Sequence, residues 1–247
     1  MRHVHAVLIV IGLAGLFAGA AGCADNTAFA TDERLAKGLV VILPGIEGVS
    51  PLNENIRRGL DSAGCDRALF IHAWGAPLPG VGMMINQMDA LGNRLRANGV
   101  VRLITDYQDR YPGRPVHVIG HSGGGGIAVF AAEALPEGRA VDGLVLLSAS
   151  LSQGYDLTKA LAHCRRGIVN FHNPADTGLL GVGTTVAGNV DGVRGPSAGL
   201  NGFQRTYPRL WQVRVTGGLD PHAAATRPAY VRRRVAPWVL RPTWPAR

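Results

Sequence analysis

The stretch from Val116 to Ala132 leaves this chain little freedom. Val116-His117-Val118-Ile119 is an apolar run of strand length, and Gly120-His121-Ser122-Gly123-Gly124 follows at once. Gly125-Gly126-Ile127-Ala128-Val129-Phe130-Ala131-Ala132 then continues with helical character. Strand, turn and helix must pass one another with no connecting loop, which only small residues around the turn permit. A serine at the apex of so tight a turn is held in a strained, exposed position, so Ser122 is a candidate nucleophile. The competing reading is a glycine-rich turn that only packs, or that binds an anion at the helix N-terminus.

Similar apolar runs recur along the 247 residues. Gly38 to Leu43 reads as a buried parallel strand, and Ala68 to Ile71, Val116 to Ile119, Gly143 to Leu147, Ile168 to His172 and Arg209 to Val215 read as further strands. Helical patterns lie between or after them, at Asn55 to Ala63, Met83 to Tyr111, from Ser122 to Leu135, and Pro228 to Leu240. The expectation is an α/β fold, with a mostly parallel sheet of about six strands and helices on both faces. With 47% apolar and 17% charged residues, disorder across the chain is excluded.

A serine hydroxyl needs a general base and a carboxylate that orients the base. In a parallel sheet these come from loops at the carboxyl ends of strands. Asn173-Pro174-Ala175-Asp176 follows the fifth strand, and Gly217-Gly218-Leu219-Asp220-Pro221-His222 follows the sixth. Asp176 is therefore the candidate acid and His222 the candidate base; a turn aspartate and a solvated loop imidazole are the bland readings. His117, His172, His163 and Asp142 lie within or before strands and read as structural. His121, at the variable position of the turn, reads as a packing residue. An oxyanion hole would use the backbone N–H of Gly123, with Ile46 or else Gly45 from the Leu43-Pro44-Gly45-Ile46-Glu47-Gly48 loop as second donor.

The spelling G-x-S-x-G occurs twice, again at Gly195-Pro196-Ser197-Ala198-Gly199, but there no strand precedes it and no clear helix follows. Context assigns Ser197 to a turn-rich loop. The eight histidines form no H-E-x-x-H or similar ligand spacing, and neither metal nor cofactor is expected.

Residues 38 to 240 resemble the α/β-hydrolase-fold serine hydrolases of esterase or lipase type. The likeness rests on the Ser122 turn, on Pro44-Gly45 where many members have His-Gly, and on the chain order Ser122, Asp176, His222. It implies hydrolysis of carboxylic esters through an acyl-enzyme. An acyltransferase with the same triad, or an inactive binding lipoprotein of the same fold, are the alternatives. Only about a dozen mature residues precede Leu39, so the sheet should be shortened at its N-terminal edge. The segment from Ser150 to Gly167 is too short for a large cap domain. The glycine-rich stretch from Thr177 to Pro208 is expected to cover the site in part.

Arg2, His3 and His5 precede an uncharged apolar run from Ala6 to Ala18, which reads as a signal peptide over residues 1–22. Ala20-Ala21-Gly22-Cys23 resembles a bacterial lipobox, so Cys23 would carry lipid and residues 23–37 would tether the domain 38–247 to the cell envelope. Cleavage after Ala28-Phe29-Ala30 would instead release the protein, and an uncleaved anchor is the third option. Cys65 and Cys164 are either bridged or separate buried thiols. The net charge of +8 is concentrated late, with nine arginines and one acid after Asn201. The expected setting is a solvated face of the last helix; attraction to anionic lipid or acidic polymers is the rival, and no nucleic-acid motif accompanies the charge.

Overall fold

The computed structural model describes residues 24–75, 81–217 and 219–245. The segment read as a signal peptide, and Cys23, lie outside the described residues. Six strands form one sheet: β1 (Leu39–Leu43), β2 (Ala68–Ile71), β3 (Val116–His121), β4 (Gly143–Leu147), β5 (Ile168–His172) and β6 (Leu210–Arg214). Their order is β2-β1-β3-β4-β5-β6 and every pairing is parallel. Because alternate side chains point to opposite faces, β1 feeds both layers: Leu39, Val41 and Leu43 enter one apolar cluster, Val40 and Ile42 the other. Such a strand has no polar face, and all five of its residues are buried.

Helices cover both faces. On one lie α4 (Ala90–Arg110), α5 (Gly123–Glu133) and α6 (Thr158–Ala162), with α3 (Val81–Met88) directly before α4. On the other lie α2 (Pro51–Asp61) and a C-terminal segment made of α9 (Pro228–Tyr230), a π-turn (Val231–Val235) and α10 (Ala236–Leu240). The helix α2 begins earlier than its apolar pattern suggests. Ser50 caps it, the Asn53 side chain accepts from the Ser50 N–H in return, and Pro51 occupies the first turn. The stretch expected as one long amphipathic element breaks at Asp89, whose carboxylate accepts from the Gly92 N–H. Leu91 and Leu95, on the apolar stripe visible in the sequence, are 73% and 62% exposed; Ala97, Val100, Ile104 and Tyr107 face the core instead.

Residues 24–37 do not hang free. The Asn26 side chain accepts from the Ile71 N–H at 2.9 Å and donates to its carbonyl at 3.1 Å, extending the β2 edge. Tyr107 donates to the carbonyl of Leu35 in α1 (Asp32–Leu35). Cys65 and Cys164 are separate buried thiols, packed in the clusters on opposite faces of the sheet. Between β5 and β6 the glycine-rich stretch folds into a π-turn (Gly178–Gly183), α7 (Thr184–Ala187) and α8 (Ala198–Asn201).

Candidate active site

The turn between β3 and α5 places Ser122 at φ 52° and ψ −122°, a region that non-glycine residues occupy only under constraint. Three backbone bonds hold it there. The Ser122 N–H donates to Leu147, and its carbonyl accepts from Gly125 and Ser150. The flanking glycines are demanded by contact rather than by φ. A Cβ on Gly120 would lie 2.3 Å from the Gly124 carbonyl oxygen, and one on Gly124 would lie 2.3 Å from that of Pro44. Strand, helix and β1 loop thus meet at backbone distance.

Asp176 and His222, separated by 46 residues, meet at 2.5 Å between Oδ2 and Nδ1. A carboxylate only accepts, so Nδ1 carries the proton and Nε2 keeps a free lone pair. Both side chains are buried. Asn173 ties their loops together. Its side chain donates to the Pro221 carbonyl and accepts from Ala175, while its own carbonyl accepts from the Asp176 N–H. Sequence reading passed over Asn173; the Asn-Pro dipeptide, a turn signal directly after a strand, was its trace. The Asp220 carboxylate in turn accepts from the N–H groups of His222 and Ala223.

His121 connects this pair to the serine turn. Its ring centroid lies 4.9 Å from that of His222, and its Nε2 donates to the His222 carbonyl at 3.4 Å. Burial, and then the charge of His222, push its pKa down to about 3, so it stays neutral. Its Nδ1 has no partner and faces Glu47 Oε1 at 4.0 Å. Burial raises the Glu47 carboxyl above the usual range, against the opposing pull of backbone donors, His222 and Ser50. For His222 itself, burial disfavours the charged form. The hydrogen bond to Asp176 and the negative charges of Asp176, Glu47 and Asp220 outweigh it, and the pKa is raised above 6.5.

The β1 loop meets the start of α5. A Cβ on Gly123 would sit 3.4 Å from the Ile46 nitrogen, so the two expected backbone donors are neighbours. The loop is pinned from both sides: Trp74 Nε1 donates to Pro44 at 2.7 Å and Asn86 donates to Ile46 at 3.0 Å. Neither was legible in advance, since an indole and an amide following the second strand carry no motif. Gly45 lies in the same loop, with its carbonyl accepting from Gly48. The segment after α7 is fastened beside the turn by Gln87, which donates to Ser150 Oγ and to Gly188, and by Asn93, which donates to Val190. No group of three or more potential metal ligands occurs among the described residues.

Ser197 is elsewhere in kind. It has ordinary extended angles (φ −86°, ψ 162°), is fully buried, and its hydroxyl finds no partner.

No family model matches the chain, and no curated protein does. Solved structures do. A gene product of Listeria innocua superposes with a TM-score of 0.54 at 9% identity, covering 85% of this chain and 96% of the other. The chain has the α/β-hydrolase fold. A cutinase-like protein from Cryptococcus sp. is similar over 85% of this chain and 97% of its own, with TM-score 0.47 and 14% identity. A dienelactone hydrolase from Anabaena variabilis covers 83% and 86%, with TM-score 0.49 and 18% identity. The six-stranded all-parallel sheet with helices on both faces matches this fold.

Proposed function

We propose that the protein is a serine hydrolase that cleaves carboxylic esters. The observation that carries this reading is the 2.5 Å Asp176–His222 hydrogen bond, packed through His121 against the strained Ser122 turn. In the proposed reaction His222 Nε2 takes the Ser122 proton as Oγ attacks the ester carbonyl carbon. The N–H groups of Gly123 and Ile46 hold the oxygen that becomes negative. The carbon–oxygen bond to the alcohol breaks, and His222 returns the proton to the departing alkoxide. Water then enters by the same route and releases the acid from Ser122.

The test is covalent labelling by a fluorophosphonate, coupled to turnover of short p-nitrophenyl esters. Labelling of wild-type protein, lost in Ser122→Ala, is expected; folded wild-type protein that neither labels nor turns over ends the proposal.

The setting remains part of the proposal. The residues before Ala24 support export with lipid on Cys23, and the mass of the mature N-terminal peptide decides between a lipidated Cys23 and a start at Thr31.

A further inference from the structure

The face of the sheet that carries α2 and the C-terminal helical segment has an unbalanced charge. Its carboxylates are engaged: Glu54 pairs with Arg57 and Asp61 with Arg34. The nearby acids Asp25 and Asp220 are taken up by backbone N–H groups, of Thr27 and of His222 and Ala223. Among the described residues, Arg58, Arg227, Arg232, Arg233, Arg234 and Arg241 have no carboxylate partner, and all six are exposed. The sequence favoured a solvated helix face over attraction to anionic lipid or acidic polymers. The structure instead gathers three of these arginines around a cavity of about 250 Å³, with Trp238 and Trp244 in its lining. The two indoles meet edge to face at 5.0 Å, and the Trp244 N–H is spent on the Trp238 carbonyl. A ligand would therefore meet apolar ring surface below and guanidinium donors at the rim.

Two observations point to the occupant. Aromatic rings beside arginines that lack carboxylate partners suit the boundary between lipid and water, where the guanidinium fork matches phosphate oxygens. The charge also extends beyond the cavity: Arg58, Arg227 and Arg232 are exposed on the same face without a carboxylate partner among the described residues, so its complement is an extended negative surface rather than a single small anion. We propose that this face docks on an anionic lipid surface, with Arg233, Arg234 and Arg241 taking lipid phosphates at the rim of the tryptophan-lined cavity.

Flotation of the full chain with vesicles tests it. Binding driven by the N-terminal segment alone is indifferent to head-group charge and to salt. The proposed docking is sensitive to both. Wild-type protein should partition to phosphatidylglycerol vesicles about 100-fold more strongly than to phosphatidylcholine vesicles at low salt, and lose that preference at high salt. Each Arg→Gln change at 233, 234 and 241 should weaken the preference about fivefold. Hydrolysis of a soluble ester should be unchanged in the triple variant, so failure here leaves the proposed catalysis standing. Equal partition of wild type to both vesicles overturns the proposal. So does a triple variant, folded by its Tm and near-UV circular dichroism, that keeps the preference. Heparin bound by a protein that ignores the anionic vesicles would assign the surface to soluble polyanions instead.

Discussion

Gly120-His121-Ser122-Gly123-Gly124 and Gly195-Pro196-Ser197-Ala198-Gly199 fit one pattern, and the fold puts them to different uses. At the first, β3 and α5 close on the serine from both sides, and its backbone is driven to φ 52°. At the second, the serine precedes a four-residue helix in an extended conformation, and its hydroxyl makes no capping bond. Both closing glycines admit a neighbouring backbone: a Cβ on Gly124 would meet the Pro44 carbonyl oxygen at 2.3 Å, and one on Gly199 the Ser148 carbonyl carbon at 2.3 Å. Close packing at the fourth residue after the first glycine is therefore common to both. What separates them is the element that precedes the serine: a strand runs straight into Ser122 and drives its backbone to φ 52°, whereas Ser197 is reached from an extended loop, even though its segment also meets the Asp176 loop through the Asn173 N–H on the Gly199 carbonyl.

The contrast can be broken most directly at the two serines. Ser122→Ala should lower kcat/KM by about 10⁴-fold or more, measured on a soluble ester with the fold verified by circular dichroism. Ser197→Ala should leave it within a factor of two, because its hydroxyl faces no reacting group. Next in size is Asp176→Asn, expected to cost on the order of 10³-fold in kcat with little change in KM. It leaves the imidazole in place but removes the acceptor that fixes its tautomer.

The glycines sharpen the comparison as stability. Gly120→Ala forces a Cβ into the Gly124 backbone and should cost on the order of 3 kcal/mol, read by urea unfolding. At the matching position of the second motif, Gly195 has φ +136° but open space around it, so Gly195→Ala should cost only about 1 kcal/mol, for backbone strain. Ser197→Ala, which deletes a buried hydroxyl without a partner, should stay within about 1 kcal/mol of wild type.

The subtlest effect is in pH. His222 must be neutral to act as a base, and its pKa is raised above 6.5, so the acid limb of kcat/KM should lie above that value. Stability runs the other way. The pairing with Asp176 contributes fully below pH 6.5 and is lost as pH rises through the folded-state pKa. Glu47→Gln removes one of the negative charges that support the His222 proton and should move the acid limb to lower pH; an unmoved limb would show that Glu47 does not reach the base.

β1 to β5 were legible because they are largely buried on both faces and therefore read as nearly continuous apolar runs; β6, at the sheet edge, exposes Gln212 and Arg214 and its run is interrupted to match. The loop positions of Asp176 and His222 followed from the strand ends. The positioning side chains were not legible for the opposite reason: Asn173, Trp74 and Asn86 act through single hydrogen bonds to carbonyl oxygens far away in sequence, and no periodicity marks such a bond. The outer stripe of α4 misled in another way. Leu91 and Leu95 have helical spacing, yet the close approach of α4 to α5 selects the face with Ala97, Val100 and Ile104. Spacing identifies a helix more readily than the side on which it packs.

The all-parallel strand order also governs how the molecule must assemble. No two adjacent strands are joined by a tight hairpin, and the shortest connection between paired strands, from β4 to β5, still encloses the segment from Ser148 to Gly167. Each pairing closes a sizeable loop before any sheet contact repays the lost entropy, so the chain should fold slowly, with its apolar strands uncovered until late. The yield on refolding should accordingly fall as protein concentration rises, through association of strands that have not yet found their neighbours.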